Sequence, residues 1–211
     1  MSIGKYESHT LRYDLQIIAS WIEKGSRVLD LGCGEGELLH YLIENKKVIG
    51  TGIEIIESKI AQCIEKGLSV LHGNINEELD DFPDHMFDYV ILSQTLQQVY
   101  EPSKVIHSML RVGKRGVVSF PNFSYWVSRL QHLITGYAPI TDQLPYNWYD
   151  TPNIRVLSIK DFRGFLEKSG LNILEEVAIN THSQDRRGKI IRMLPNWRAT
   201  YGLYLIGNRV Y

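Results

Sequence analysis

The sequence predicts an α/β fold: a mostly parallel, doubly wound sheet with helices on both faces. Three observations carry this reading. Short apolar strands alternate with stretches of helical periodicity up to Pro121. The stretch "FDYVILS" (87–93) is apolar almost throughout, as suits a strand buried on both faces. A glycine-rich turn, "GCGEG" (32–36), falls between a strand and a helix, where such sheets open their ligand crevice.

Each element follows in order. "LRYDLQIIASWI" (11–22) places Leu11, Leu15, Ile18 and Ile22 at helical spacing. "RVLDLG" is the first strand, and "GELLHYLIEN" is a helix. "KVIGTGIE" is the second strand, followed by the helix "ESKIAQCIEKG", which Gly67 ends. "LSVLHG" and "FDYVILS" are the third and fourth strands. The helix "SKVIHSMLRVG" leads to the fifth strand, "RGVVSFP". The rhythm then breaks: 122–158 is rich in aromatics, including Phe123, Trp126, Tyr137, Tyr146, Trp148 and Tyr149. The helix "IKDFRGFLEKSG" and the strands "LNILEEVAIN" and "YGLYLIGN" complete the chain. No helix-length pattern separates these two strands, so they are expected to be antiparallel neighbours. The expectation is therefore a seven-stranded sheet whose last strand is antiparallel, in one domain over 1–211 with an aromatic-rich insertion at 122–158. The basic stretch Arg186, Arg187, Lys189 and Arg192 reads as a solvated hairpin, with a docking contact for an acidic partner as the alternative.

Composition sets limits. Of 211 residues, 44% are hydrophobic, enough for a substantial core, and the formal charge is −1. That balance gives no global footprint for nucleic acid or an anionic membrane. The polar start and the lack of a bilayer-length apolar run point to a cytoplasmic protein. Cys33 and Cys63 form no CxxC pair, so neither a metal site nor a disulfide framework is expected.

The glycine turn decides the ligand class. Glycines allow a sharp turn and close approach of a ligand to the backbone. A dinucleotide fingerprint would need glycine at position 37, where Glu37 stands. Asp30 and Glu35 make the turn acidic, which repels a pyrophosphate and attracts an ammonium or sulfonium. S-adenosylmethionine carries both, and this also disfavours a nicotinamide dehydrogenase. Gly32 and Gly34 then face the ligand. Glu54 ends the second strand about 20 residues further on, where a carboxylate can accept from ribose hydroxyls. Asn74 and Ile75 follow the third strand, with an acceptor for the adenine amine and a side chain for its ring. Ser93 and Gln94 end the fourth strand in the same crevice.

With these residues in place, "VLDLGCGEGEL", "GIE" and "FDYVILSQTLQQV" resemble the class I S-adenosylmethionine-dependent methyltransferases, which implies a Rossmann-like fold. "LPYNWYDTPNI", "SFPNFSYW" and "MLRVGKRG" narrow the resemblance to the MetW family of methionine biosynthesis. It implies binding of S-adenosylmethionine or S-adenosylhomocysteine. It also implies work beside a homoserine O-acyltransferase, MetX, early in methionine synthesis.

Methyl transfer needs alignment of two reactants, and a general base where the nucleophile is poor. The place after the fourth strand reads "SQTL", without a tetrapeptide typical of amine or base methylation. Tyr149, Asp150 and His132 are the remaining catalytic candidates; His107 falls on a helix behind the sheet, and Cys33 reads as a small filler. Two classes stay open: a methyltransferase for a small metabolite, and a ligand-binding subunit that tunes the acyltransferase. The missing tetrapeptide favours the second.

Overall fold

The computed structural model describes residues 11–182 and 184–208. Eight strands form one sheet in the order β3-β2-β1-β4-β5-β8-β6-β7. They are β1 (Arg27–Leu31), β2 (Ile49–Glu54), β3 (Ser69–His72), β4 (Phe87–Ser93), β5 (Gly113–Pro121), β6 (Asn172–Asn180), β7 (Lys189–Ile190) and β8 (Tyr201–Gly207). The first five are mutually parallel, and β8 runs antiparallel to both β5 and β6. The expected antiparallel pairing of the last two long strands is present. The eighth strand is the two-residue β7, inside the basic stretch and too short to show any periodicity in sequence.

The continuous apolar strands supply both faces of the sheet, because alternate side chains point to opposite sides. Tyr89 and Ile91 of β4 join Tyr201 and Leu203 of β8 in a core with α1 (Tyr13–Trp21) and α2 (Glu37–Lys46). Val90 and Leu92, with Tyr204 and Ile206, enter the opposite core beneath α5 (Pro102–Val112) and α7 (Ile159–Lys168). α3 (Glu57–Glu65) crosses from β2 to β3 and buries Cys63. The short α4 (Ile75–Glu78) follows β3, and α8 (Pro195–Arg198) precedes β8.

Local chemistry fixes the helix ends. Ser158 and Asp161 form a reciprocal capping box at α7. The buried Lys46 ammonium donates to the carbonyls of Ala19 and Ile22, covering orphan acceptors at the end of α1. Its burial lowers its pKa. The insertion contains a helix of its own, α6 (Trp126–Thr135), whose Leu133 and Ile134 are exposed. Backbone bonds from Ile154 N and Arg155 N to the Gln97 carbonyl, each 3.0 Å, tie the end of the insertion to the loop after β4.

Candidate functional site

The crevice lies at the carboxyl ends of β1, β2, β3 and β4. Between β1 and α2 the chain turns through three glycines with positive φ, at Gly32, Gly34 and Gly36. Two of them show different needs. A Cβ on Gly32 would press on Thr95 at 3.0–3.1 Å, so this glycine lets the loop after β4 close on the turn. A Cβ on Gly34 would meet nothing within 4 Å. Gly34 therefore borders open space, and a ligand can reach its backbone.

The turn is held by Glu54 at the end of β2. Its Oε2 accepts from Gly34 N at 2.9 Å, and its Oε1 accepts from Ile55 N and Ile56 N, both at 2.9 Å. Glu54 is thus a buried acceptor that joins loop to strand, with one lone pair of Oε2 still unused. Asp30 lies buried beside it. Burial, and then the neighbouring Glu54 charge, push the Asp30 carboxyl up to about 7. The same surroundings raise the thiols of Cys33 and Cys63, chiefly by burial. Cys33 packs so closely on β2 that a Cβ on Gly52 would lie 2.5 Å from its sulfur, which fits the reading of Cys33 as a filler.

The remaining predicted binding residues flank this centre. Gly73 N donates to the Glu54 carbonyl at 3.1 Å, which brings Asn74 and Ile75 to the rim. Asn74 caps α4: its Oδ1 accepts from Asn76 N at 3.0 Å and Asn76 Nδ2 at 2.7 Å. Ser93 Oγ pairs with Ser119 Oγ at 3.0 Å, and Gln94 reaches Asp14. Asp30, Gly32, Gly34, Glu54, Asn74, Ile75 and Ser93 are therefore collected along adjoining strand ends. The catalytic candidates have partners within the insertion. His132 bonds the Tyr137 carbonyl, Tyr149 packs edge-on against Trp148, and Asp150 pairs with Asn147. Among the described residues, none of the three bonds to the glycine turn.

Sequence reasoning missed two polar groups. Asp14 is 2% exposed and accepts from Gln94 Nε2 at 2.6 Å and from Arg12 Nη2 at 3.2 Å. Its signal was legible: it stands three residues after Leu11 and four before Ile18, on the apolar side of its helix. Asn76 Oδ1 is buried without a partner among the described residues. Nothing in "NIN" separates its role from that of Asn74.

The fold and its crevice define a class: the Rossmann-like fold of class I methyltransferases. A S-adenosylmethionine-dependent methyltransferase of Thermotoga maritima superposes with TM-score 0.66 at 17% identity, covering 93% of this chain and 88% of that one. Another, from Archaeoglobus fulgidus, gives 0.65 at 16% identity, covering 91% and 90%. At such identities the likeness concerns the fold. The family follows from sequence: the family model described as methionine biosynthesis protein MetW matches residues 12–206, and the chain belongs to that family. A bifunctional methionine biosynthesis protein MetXA/MetW of Rhodopirellula baltica is 36% identical over 177 residues, 80% of this chain and 28% of the relative. A ubiquinone/menaquinone biosynthesis C-methyltransferase UbiE of Yersinia pestis is 30% identical over 119 residues, 51% of this chain and 46% of the relative. The chain thus matches less than half the length of either curated relative.

Proposed function

We propose that this chain binds S-adenosylmethionine or S-adenosylhomocysteine at the glycine turn and acts in the cytoplasm with a homoserine O-acyltransferase. The observation that carries the binding half is the pairing of Asp30 and Glu54 around an open Gly34. The turn has room for a ligand and a surplus of negative charge for its ammonium. The residues fit such a group in three further ways. Oε2 of Glu54 keeps a free lone pair for a ribose hydroxyl. Asn76 Oδ1 lacks a donor, which an adenine amine supplies; Asn74 Oδ1 is already doubly used. Ile75 stands beside both. Bound there, S-adenosylmethionine supplies an activated methyl group. The chain's own part is to orient it and to balance its charge.

The partner half rests on the Rhodopirellula relative, named for MetXA and MetW together. The aromatic insertion suits a partner surface: Trp148 is 79% and Val156 82% exposed, and tryptophan and tyrosine are enriched at interface cores. No described helix is long and apolar enough to cross a membrane.

Methyl transfer to a small acceptor is the second reading. Asp14 favours it, because a buried carboxylate bonded to Gln94 sits just past the end of β4. Calorimetry with S-adenosylhomocysteine, and co-elution with a homoserine O-acyltransferase, test the first reading. Absence of binding to either ligand at millimolar concentration would end it.

A further inference from the structure

A cavity of about 520 Å³ opens beyond the carboxyl end of β6, and no residue of the glycine turn lines it. Arg187 lines it from the chain that leads into β7, Lys189 from β7 itself, and Arg198 from the end of α8. Trp126 and Ile191 give it apolar walls. The backbone around it is firmly placed. Thr181 Oγ1 donates to the Arg187 carbonyl at 2.9 Å. Tyr13 N donates to the Asp185 carbonyl at 2.9 Å, and Gln16 Nε2 to that of Arg186 at 2.9 Å. The loop is therefore anchored by its backbone while its cationic side chains stay available.

Charge decides what the cavity accepts. Among the described residues, no side-chain hydrogen bond or ion pair engages Arg187, Lys189 or Arg198. His182 also reaches the cavity, but it is paired with Asp142, whose hydrogen bond raises its pKa. Among the described residues, Asp185 is the one carboxylate that lines the cavity, against the cations of Arg187, Lys189 and Arg198. A concave site with clustered like charge concentrates counter-ions, and a cavity of this size holds a small molecule.

We propose that this cavity is a binding site for a small organic dianion, a dicarboxylate or a phosphorylated metabolite, whose apolar body lies on Trp126 and Ile191. The two guanidinium groups, of Arg187 and Arg198, take its charged ends as forked donors. The site stands apart from the glycine turn, and the inference does not depend on what that turn binds.

The test uses the full chain, with succinate and inorganic phosphate as probes at matched ionic strength, followed by calorimetry and tryptophan fluorescence. Saturable binding with quenching is expected for at least one probe. Arg187→Ala and Arg198→Ala should each weaken it about tenfold or more, the cost of a charged hydrogen bond. Arg192→Ala, an equally basic change outside the cavity lining, should leave it unchanged, and thermal melts confirm that all three variants fold. No saturable binding of either probe up to about 10 mM, a very weak affinity, would overturn the proposal. So would an equal loss in Arg192→Ala, which would mean diffuse surface attraction.

Discussion

The Glu54 carboxylate accepts the Gly34 amide at 2.9 Å, so one side chain links the glycine turn to the end of the neighbouring strand. Ligand contact and loop geometry are then set by the same residue. Replacing Glu54 by alanine should act on both. It leaves the amides of Gly34, Ile55 and Ile56 without their acceptor, costing about 1–3 kcal/mol per unsatisfied buried group. A lower melting temperature and a weaker S-adenosylhomocysteine affinity are expected together. Unchanged binding alongside a lower melting temperature would make Glu54 a structural strut only.

Gly34 can be tested with an internal control. Alanine at Gly34 must adopt φ near +58°, at a cost of about 1–2 kcal/mol. Gly25, in the turn before β1, has φ +76° and equally open surroundings. Gly25→Ala therefore carries a similar backbone penalty far from the crevice. Both variants should melt lower, but only Gly34→Ala should lose ligand affinity. Equal affinities in the two would place the ligand elsewhere.

The fold was legible because its signals are local and repeated. Alternation of strand and helix, the apolar β4 and Gly67 all speak within a few residues. What escaped was set by tertiary contact. The helix α6 sits in a segment whose aromatics mask its periodicity, and four of its five apolar residues, Trp126, Leu130, Leu133 and Ile134, are exposed. β7 is defined by its pairing with Ile179 and Asn180, not by its own two residues. The crevice proposed as the binding site was readable where strand ends announce it, at Asp30, Gly34 and Glu54. The division of labour between Asn74 and Asn76 was not, because it depends on which amide oxygen the cap of α4 consumes.

Asp30 predicts a pH dependence. Its folded pKa of about 7 lies above the ordinary 3.8, so the folded chain keeps a proton that the unfolded chain has lost. Stability should fall as pH rises from about 4 to about 7, by at most about 1.4 kcal/mol per unit. Ligand affinity should move the other way. An ammonium binds the ionised carboxylate, so affinity should climb as pH rises towards 7 and then level off. Asp30→Asn should flatten both profiles. Calorimetry and thermal melts between pH 5 and pH 8 (about two units below and one above the shift) read the two effects. A profile shared by wild type and Asp30→Asn would assign the titration to another group.

The exposed aromatics predict where a partner docks. Trp148 is 79% exposed, so its removal should barely change the stability of the free chain. As an interface anchor it should cost about 2 kcal/mol or more of acyltransferase affinity when replaced by alanine. Co-elution and titration of wild type and Trp148→Ala make the comparison. Full affinity in the variant would move the interface away from this end of the insertion.

Coupling separates a regulatory subunit from an enzyme. A ligand shifts an equilibrium only through unequal affinity for its two states, so a regulator must bind S-adenosylmethionine differently when free and when docked. Ile154 N and Arg155 N of the insertion donate to the Gln97 carbonyl, three residues beyond Gln94, which joins the insertion to the loop after β4. By reciprocity, the acyltransferase must change S-adenosylmethionine affinity by the same factor that the ligand changes acyltransferase binding. A coupling of about 1–3 kcal/mol corresponds to roughly 5–150-fold. Acyltransferase rate should therefore respond to S-adenosylmethionine only when this chain is present, without formation of S-adenosylhomocysteine. An enzyme instead releases S-adenosylhomocysteine in step with a methylated acceptor, and Asp14→Asn, which keeps the shape but loses the charge, should slow that release. A rate indifferent to both chain and ligand rejects the regulator. Stoichiometric S-adenosylhomocysteine with a defined acceptor establishes the methyltransferase.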